Sequence, residues 1–333
     1  MDNEILFMIP HASIGAFFIL SVIPWIAEKF RLRFQLFAHC LLALLFFWVP
    51  TYFLKATVSG QFNTLHGFLQ SFCSAVHVGH SYLLYKTLDQ GKPEQSIIFS
   101  RVVTAFISLL TRSFAAWHLS EKSTRGLLIT DNFLYAVVLT DGLWFLTDLF
   151  RMYRNKRTTQ EEIDMMVKRT TLWVEGKGSH YVENALYFDA GLTITYAIIH
   201  FAFPQHVLRL IIKTEHTLDS HHYLWCRIFG ALNLMPAISS MSAKFYSPEL
   251  QVTYFASRLL TQCTVFLLNI YGHWILAVYS ANHITAFMIS GFFSSFLFSV
   301  FHRLFKLYFD DEEAHEPERY DEKKEKRTIK KRE

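Results

Sequence analysis

The sequence is poor in the residues that interrupt helices or cross-link secreted domains. Its 333 residues include only 13 glycines, 8 prolines and 4 cysteines. The cysteines lie within apolar stretches, at Cys40, Cys73, Cys226 and Cys263, where a thiol packs as a small hydrophobic side chain. The sequence therefore gives no indication of a disulfide framework.

Signals for processing and for common enzyme classes are also missing. No Asn-x-Ser/Thr glycosylation site is present, and an acidic segment, Met1 to Glu4, precedes the first apolar run. A cleaved signal peptide begins with basic residues instead, so we expect this run to be retained. There is no G-x-S-x-G elbow, phosphate-binding loop or dinucleotide-binding glycine motif. These absences favour a non-enzymatic protein without a cofactor, and we expect no nucleic-acid partner.

Hydrophobic and aromatic residues are abundant. They make up 52% and 17% of the chain, in runs too long and too apolar for an ordinary soluble protein. A helix needs about 20 apolar residues to cross a membrane. We predict an all-α, polytopic helical membrane protein with about nine spans, at residues 5–27, 34–54, 64–85, 97–118, 126–150, 183–204, 223–242, 250–274 and 278–302. The third span contains three histidines and could instead lie at the membrane interface.

The loops between these spans differ in charge. Alternate loops hold 23 basic residues on one side and 5 on the other, while four arginines lie within spans. Because cytosolic loops carry the excess of lysine and arginine, this distribution predicts a C-terminus in the cytosol and an N-terminus in the lumen or outside.

Polar segments divide the chain into four parts. Residues 1–150 form an N-terminal bundle, 151–182 a polar cytosolic linker, 183–305 a C-terminal bundle, and 306–333 a charged tail. The linker has apolar positions at Ile163, Met166 and Leu172, and is either an amphipathic helix on the membrane surface or a solvated spacer. The tail has almost no apolar residues, so we predict that it is disordered.

Charges within the fourth and fifth predicted spans are costly unless they meet a partner. Arg101 and Arg112 lie in one span, and Asp131 and Asp141 in the other. In an antiparallel hairpin whose turn centres near Lys122, residues equally far from the turn lie at the same depth. This register predicts the ion pairs Arg112–Asp131 and Arg101–Asp141. They either fix the helix register or form a ligand or ion site.

Further polar residues lie near the end of the fifth span and in the second bundle. Asp148, at a helix end, is predicted to be solvated. Arg258 lies level with Asn233 across the intervening turn, which predicts a hydrogen bond, and Asp189 is another polar partner available there. Arg227 lies near enough to a span end for its guanidinium to reach the headgroups.

The two halves share a short pattern. Aligning Arg101 with Arg227 pairs SRVVTAFISLL with CRIFGALNLMP, and Thr-Leu-Asp precedes each segment. A period of about 126 residues with three spans would relate the copies by inversion, as in inverted-repeat transporters. The pattern therefore indicates a two-fold internal repeat.

Sixteen histidines raise the question of metal binding. His77 and His80 are three residues apart and share a helix face, with His66 three turns earlier. A zinc hydrolase needs three ligands and a base, and di-iron enzymes need repeated histidine boxes. Neither set is present. His77 and His80 are the nearest approach to a metal site, and we predict none.

The end of the chain carries a short sorting pattern. Lys330 and Lys331 are the fourth and third residues from the end, as in dilysine signals, which vesicle coats read to return membrane proteins to the endoplasmic reticulum. The pattern lies on the side predicted to be cytosolic. It predicts residence in the endoplasmic reticulum membrane, with a vesicle coat as partner of the tail.

Motifs in both halves resemble the ergosterol-biosynthesis scaffold family of the endoplasmic reticulum. Arg227, Phe229 and Gly230 open a span as in that family. In the first half, the segment Gly91 to Pro93, followed by Arg101 and Arg112, is similar to the same region of that family. The resemblance covers about 150 residues in each half, so this chain would hold two copies.

A second likeness is to the tumour-suppressor-inducible four-span membrane protein family. It rests on the segment Ala202 to Pro204 and on Arg227, Gly230 and Ala231. The scaffold family implies a non-enzymatic protein that tethers sterol-modifying enzymes in the membrane.

We therefore predict a scaffold or adaptor of the endoplasmic reticulum membrane that tethers or escorts other integral membrane proteins within the lipid bilayer, in sterol or lipid metabolism or in membrane-protein trafficking. The alternative is a small-molecule or lipid transporter with an intramembrane site at the arginines and aspartates of the fourth and fifth spans. A second alternative is a lipid-modifying membrane enzyme.

Overall fold

Apolar segments with few helix breakers fold into helices along almost the whole chain. The computed structural model describes residues 3–88, 95–121, 128–175 and 181–329. Helix accounts for 87% of the protein. The predicted all-α fold class is therefore confirmed.

The first half consists of helices and two very short strands. In chain order they are α1 (Asn3–Leu20), α2 (Glu28–Trp48), α3 (Pro50–Thr57), β1 (Val58–Ser59), α4 (Thr64–Thr87), α5 (Gln95–Glu121), β2 (Leu128–Ile129), α6 (Asp131–Val137), α7 (Leu143–Arg154) and α8 (Lys156–Val174). A π-helical segment, Val138–Gly142, joins α6 to α7, so the three form one continuous helix. The strands pair antiparallel, with Val58 opposite Ile129.

The second half also consists mainly of helices. Its helices are α9 (Tyr181–Ala202), α10 (Pro204–Ile211), α11 (Ser220–Leu232), α12 (Leu234–Ser242), α13 (Pro248–Ile270) and α14 (His283–Ile329). A 3₁₀ turn, Ala243–Phe245, extends α12, and a π-helical segment, Tyr271–Ile275, extends α13. Ala277, just beyond, has a positive φ of 51°, a conformation that ends the helix there.

Five of the described helices are long and apolar enough to cross a membrane. They are Glu28–Trp48, Gln95–His118, Asp131–Arg154, Tyr181–Ala202 and His283–Leu307. The other predicted spans coincide with α1, α4, α11 with α12, and α13. Helix α1 is shorter, and α11 with α12 is one predicted span in two pieces. Helices α4 and α13 are more polar and supply many of the polar side chains of the interior.

Helix α4 lies at the centre of the bundle. Most of its side chains are buried, and it packs against α2 and against α13. Gly79 allows the close approach to α13, since a Cβ there would lie 2.0 Å from Oγ1 of Thr261 and 2.6 Å from the carbonyl oxygen of Ser257. Small residues permit such packing between membrane helices. Helix α4 is therefore an interior helix of the bundle.

The helices of the two halves share one interior. Helix α5 packs against α7 of its own half and against α11 and α12 of the other. Helix α13 likewise packs against α14 and against α4. Polar side chains on α4, α5, α12 and α13 therefore come together between the halves.

The predicted linker contains a helix, α8, that lies against the ends of bundle helices. Its Met166 is buried, and the carboxylate of Glu162 accepts hydrogen bonds from the backbone N–H groups of Gln95 at 3.2 Å and Ser96 at 2.8 Å. These are donors of the first turn of α5, which have no partner within their own helix. The linker thus contains a helix that docks on the start of α5, and its placement on the membrane surface stays a prediction.

Helix α14 continues beyond the apolar residues, from His283 to Ile329. The apolar residues up to Leu307 nucleate this helix. The charged continuation contains Pro317, and a proline inside a helix removes a backbone hydrogen bond. The disorder expected from residue 306 onward stays a prediction. Lys330 and Lys331 lie outside the described residues.

Candidate functional site

Two arginine–aspartate pairs lie inside the first half. Nη2 of Arg101 is 2.8 Å from Oδ2 of Asp148, and Nε of Arg112 is 3.2 Å from Oδ2 of Asp141. All four side chains are buried. A buried charge costs several kcal/mol unless its partner is close. The charges of α5 thus face charges of the following helix, but with partners other than those predicted.

The predicted pairings Arg112–Asp131 and Arg101–Asp141 are wrong because the hairpin turn is displaced. The midpoint between the end of α5 and the start of α6 lies at residue 126, not near Lys122. Moving the midpoint by four residues moves each partner by about eight, roughly two helical turns. Asp131 is instead an exposed residue that begins α6, where a carboxylate faces the positive end of the helix.

Asp148 is fully buried, so the prediction that it is solvated is wrong. Besides its contact with Arg101, it accepts a hydrogen bond from Nε1 of Trp144 at 3.1 Å and lies 3.9 Å from Nη1 of Arg151. Arg151 also donates to Glu28 at the start of α2. Helix α7 runs past the predicted end of the span at residue 150, which places Asp148 inside the bundle.

Asp141 lies on the π-helical segment between α6 and α7. The extra residue of a π turn rotates the side chains that follow by about 100° relative to an unbroken helix. The hydroxyl of Thr140 donates to the carbonyl oxygen of Ala136 at 2.7 Å and supports the widened turn. Single π turns inside α-helices are frequent at functional sites.

Three buried histidines lie near these pairs. Nδ1 of His39 is 3.1 Å from Nδ1 of His77, so one ring donates to the other. The rings of His39 and His80 are 4.6 Å apart. His77 lies within electrostatic range of Arg112, and His80 within that of Arg101. These arginines oppose a metal cation, so this geometry suits hydrogen bonding better than metal binding.

Several polar atoms of this region have no hydrogen-bond partner among the described residues. They include Nε and Nη1 of Arg101, Nε2 of His39, Nε2 of His80, Oγ1 of Thr104, Oγ of Ser108 and both amide atoms of Gln70. Nη2 of Arg101, Nε of Arg112 and Oδ2 of Asp141 are in ion-pair contacts that lack hydrogen-bond geometry. Such a group costs about 1–3 kcal/mol when buried, and more when charged. Native proteins hold few of them. We call these residues, together with Arg112, His77, Asp141 and Asp148, the first-half polar core.

The second half holds an ion pair with more complete geometry. Nε and Nη2 of Arg258 donate to the carboxylate of Asp189 at 2.9 and 3.0 Å, and Nη2 also donates to Oγ1 of Thr193 at 2.8 Å. The hydroxyl of Ser240 donates to the same carboxylate, and that of Tyr254 donates to the carbonyl oxygen of Pro236 at 2.8 Å. A forked contact with added hydrogen bonds is the arrangement in which a buried pair best offsets its desolvation.

The prediction that Asn233 is the partner of Arg258 is wrong. The amide of Asn233 donates instead to the carbonyl oxygen of Phe229, one turn earlier, at 2.8 Å. Counting residues on either side of a turn finds partners only on helices that are consecutive in the chain. Asp189, the partner of Arg258, lies on α9, which is not consecutive with α13. Nη1 of Arg227 donates to the carbonyl oxygen of Phe201 at 3.0 Å, so this arginine completes the end of α9 rather than reaching outward.

A small cavity between the halves connects the two polar regions. Among the side chains that line it are Val76, His80, Met235, Ser239, Tyr254 and Arg258. It has room for roughly one water molecule. The first-half polar core, at His80, and the ion pair of Arg258 are therefore neighbours across one interface.

Sequence reasoning missed a polar cluster at the ends of α4 and α11. Asn63 caps α4 and Asp219 caps α11, and the third residue after each cap is a histidine, His66 or His222. Oδ2 of Asp219 lies 3.0 Å from Nε2 of His66. Burial raises the pKa of the Asp219 carboxyl, but hydrogen bonds from His222 and His66 outweigh it and hold that pKa below its usual range. The signal in the sequence was Asn or Asp followed after two residues by His.

These features define a bundle of long apolar helices with charged side chains paired in its interior. The chain belongs to the family described as domain of unknown function (DUF8292), whose model matches residues 33–301. This range includes the first-half polar core, the pair of Asp189 with Arg258, and the cap cluster. No curated protein and no solved structure matches the chain. The resemblances to the two four-span families stay predictions.

Proposed function

We propose that the first-half polar core binds a small polar or amphipathic molecule within the membrane, and that the protein is an intramembrane carrier or receptor. The observation that carries this proposal is the buried guanidinium of Arg101. One of its nitrogens contacts Asp148, while Nε and Nη1 have no acceptor among the residues described. An ionisable group inside a membrane bundle is by default a candidate for substrate or ion contact.

The chemistry of the core restricts the molecule that it can hold. A guanidinium only donates hydrogen bonds, so the molecule must offer acceptor oxygens. The hydroxyls of Thr104 and Ser108 and Nε2 of His39 and His80 can donate or accept. The formal charges of the core balance, with Arg101 and Arg112 against Asp148 and Asp141. This balance favours a hydroxyl-bearing or zwitterionic headgroup over a group of high net charge.

The proposal includes nine membrane crossings. Helices α1, α4, α11 with α12, and α13 would cross together with the five long apolar helices. The position of α4 between α2 and α13 supports this, because α2 is one of those five helices. In this topology α8 and the basic segments face the cytosol, as the positive-inside rule requires, and the caps of α4 and α11 lie on the opposite side.

The proposal also includes a two-fold repeat with a period near 155 residues. Helices α3 and α10 are both eight residues long and begin with a proline, Pro50 or Pro204, which are 154 residues apart. The capping residues Asn63 and Asp219 are 156 residues apart. With four crossings in each copy, an even number, the two copies would have the same orientation in the membrane. The sequence pattern with a period of 126 residues aligns α5 with α11 and implies inverted copies. That alignment does not match the proline-led helices or the helix caps.

Retention of a bound molecule tests the proposed function. The protein is purified from its native membrane in mild detergent, and the small molecules that remain bound are identified and counted by mass spectrometry. We expect about one polar or amphipathic molecule per chain, enriched over bulk lipid. In the variant Thr104→Val, which keeps side-chain shape, retention should weaken about five- to tenfold, the value of one buried hydrogen bond.

Thr111→Val is the matched control on the same helix. Its hydroxyl donates to the carbonyl oxygen of Ile107 at 2.7 Å, so its removal should leave retention unchanged. If neither protein retains a molecule beyond bulk lipid, and Thr104→Val raises the unfolding temperature, the core is only a structural network.

A scaffold of the endoplasmic reticulum is a second candidate, favoured by helix α14. Only 17% of the apolar window of His283–Leu307 is buried, so one helix presents most of its surface to lipid or to another membrane protein. A helix of an integral membrane partner could pack on the exposed face of α14. This supports an adaptor that tethers such proteins, with a vesicle coat reading its dilysine end.

Replacing Lys330 and Lys331 by serine tests this second candidate. We expect the protein to leave the endoplasmic reticulum for later compartments, as fluorescence microscopy of the tagged chain would show. Replacing Lys323 and Lys324, which lie in the same basic tail outside the signal, should leave its location unchanged. Unchanged residence of both variants would remove the sorting claim.

A further inference from the structure

The caps of α4 and α11 form a closed set of contacts between the two halves. Oδ1 of Asn63 accepts from the backbone N–H groups of Leu65 and His66, at 3.1 and 3.3 Å. In the second half, Oδ1 of Asp219 accepts from the N–H groups of His221 and His222, at 2.9 and 3.2 Å. Each cap thus holds its own helix by the arrangement known as a capping box.

Each histidine of this cluster also reaches the cap of the other helix. Nε2 of His66 is 3.0 Å from Oδ2 of Asp219, and Nε2 of His222 is 3.1 Å from Oδ1 of Asn63. The centroids of the two rings are 3.8 Å apart. Both rings are almost completely buried, with 1% of His66 and 0% of His222 exposed. The cluster therefore joins residues 156 positions apart in a small volume.

Nδ1 of each ring lies beside the side-chain oxygen and the backbone N–H of its own cap. Nδ1 of His66 is 2.8 Å from Oδ1 of Asn63, and Nδ1 of His222 is 2.9 Å from Oδ1 of Asp219. The backbone N–H groups of Asn63 and Asp219 donate to these nitrogens at 3.2 and 3.0 Å. A ring that receives this bond carries its hydrogen on Nε2 and donates it to the cap of the other helix. A metal ion bound at Nε2 would instead place the hydrogen on Nδ1, facing the oxygen of its own cap.

The donor atoms match those that zinc prefers. Two imidazoles, a carboxylate and an amide oxygen are present, and one ligand atom each from His66, Asp219 and His222 lies within 4.8 Å of the others. Zinc takes three protein ligands of this kind plus a further oxygen or water. The ring nitrogen not bound to the metal normally donates to a carboxylate or carbonyl oxygen, the position that Oδ1 of Asn63 and Oδ1 of Asp219 occupy.

We propose that His66, His222 and Asp219 bind a divalent transition-metal ion of the zinc class, with Asn63 supplying a fourth oxygen or supporting a ring. The ion would tie α4 to α11 and so hold the two halves together. The positive ends of two helices point at the site and oppose a cation, while the charge of Asp219 favours it. We therefore expect this site to bind zinc more weakly than a site with several thiolate ligands does.

Zinc titration of the full chain tests this site. The protein is purified without an affinity tag, stripped with a chelator and titrated with zinc or, for comparison, with magnesium. Elemental analysis should find one zinc per chain, and zinc but not magnesium should raise the unfolding temperature. The variant Asp219→Asn keeps a good helix cap and should lower the zinc affinity at least tenfold.

His216→Ala is the control, because it removes a histidine of the same segment that lies outside the cluster. It should bind zinc like the wild type. If the wild type binds no stoichiometric zinc, or if Asp219→Asn binds it with unchanged affinity, the contacts are only hydrogen bonds between the two helix caps and the metal site does not exist. This result is independent of whether the first-half polar core retains a ligand.

Discussion

The variant Asp189→Ala is expected to lower the free energy of unfolding by about 3–5 kcal/mol. It removes both oxygens that Nε and Nη2 of Arg258 contact, and Arg258 is only 1% exposed. The guanidinium would keep Oγ1 of Thr193 as its acceptor, which does not balance a buried charge. Thermal denaturation in detergent, followed by size-exclusion chromatography of the heated sample, measures the loss.

The double variant Asp189→Ala with Arg258→Met separates the stranded charge from other effects. Replacing a buried ion pair by apolar side chains is often neutral, so most of the stability should return. Ser240 and Tyr254 keep the carbonyl oxygen of Pro236 as an acceptor and should not add a large loss. Equal losses in the single and double variants would show that the charge of Arg258 is not what Asp189 balances.

The second large effect is expected for Asp141→Ala, which leaves Arg112 without the carboxylate 3.2 Å from its Nε. The guanidinium also lies over the rings of Phe46 and Trp225, at 5.9 and 5.7 Å from their centroids, which partly stabilises the charge. We therefore expect a loss of about 2–4 kcal/mol, somewhat smaller than for Asp189→Ala.

Asp131→Ala is the matched control for this prediction. Asp131 is exposed at the start of α6, where a carboxylate contributes only about 0.3–1 kcal/mol through the helix dipole. The same unfolding assay compares the two alanine variants. A loss for Asp131→Ala as large as that for Asp141→Ala would contradict the observed pairing and restore the register first expected from the sequence.

Hydropathy alone predicted most of the fold. Long apolar runs with few glycines and prolines fix the helical class and place the hairpin of α5 with α6 and α7. The cost of an unpaired intramembrane charge indicated that Arg101 and Arg112 must meet aspartates. Composition marks the linker as polar and does not report that α8 docks on α5.

The partners within the site depend on features that hydropathy does not report. Asp131 begins α6, so the hairpin midpoint lies at residue 126 rather than near Lys122. Helix α7 continues past residue 150, so Asp148 is buried inside the bundle. Asp189 comes from α9, so no count across a single turn reaches Arg258. The cluster of Asn63 with Asp219 joins segments 156 residues apart, and only the repeated pattern of a cap followed by histidine marks it in the sequence.

We propose that buried arginines of the bundle meet aspartates and leave donors for a bound molecule. A density map of the protein in lipid nanodiscs, at a resolution that shows ordered water, is the test of this proposal. We expect Arg101 beside Asp148, with non-protein density within hydrogen-bond distance of its Nε or Nη1. A map in which protein atoms satisfy all three guanidinium nitrogens, or in which Arg101 points into lipid, would contradict the account.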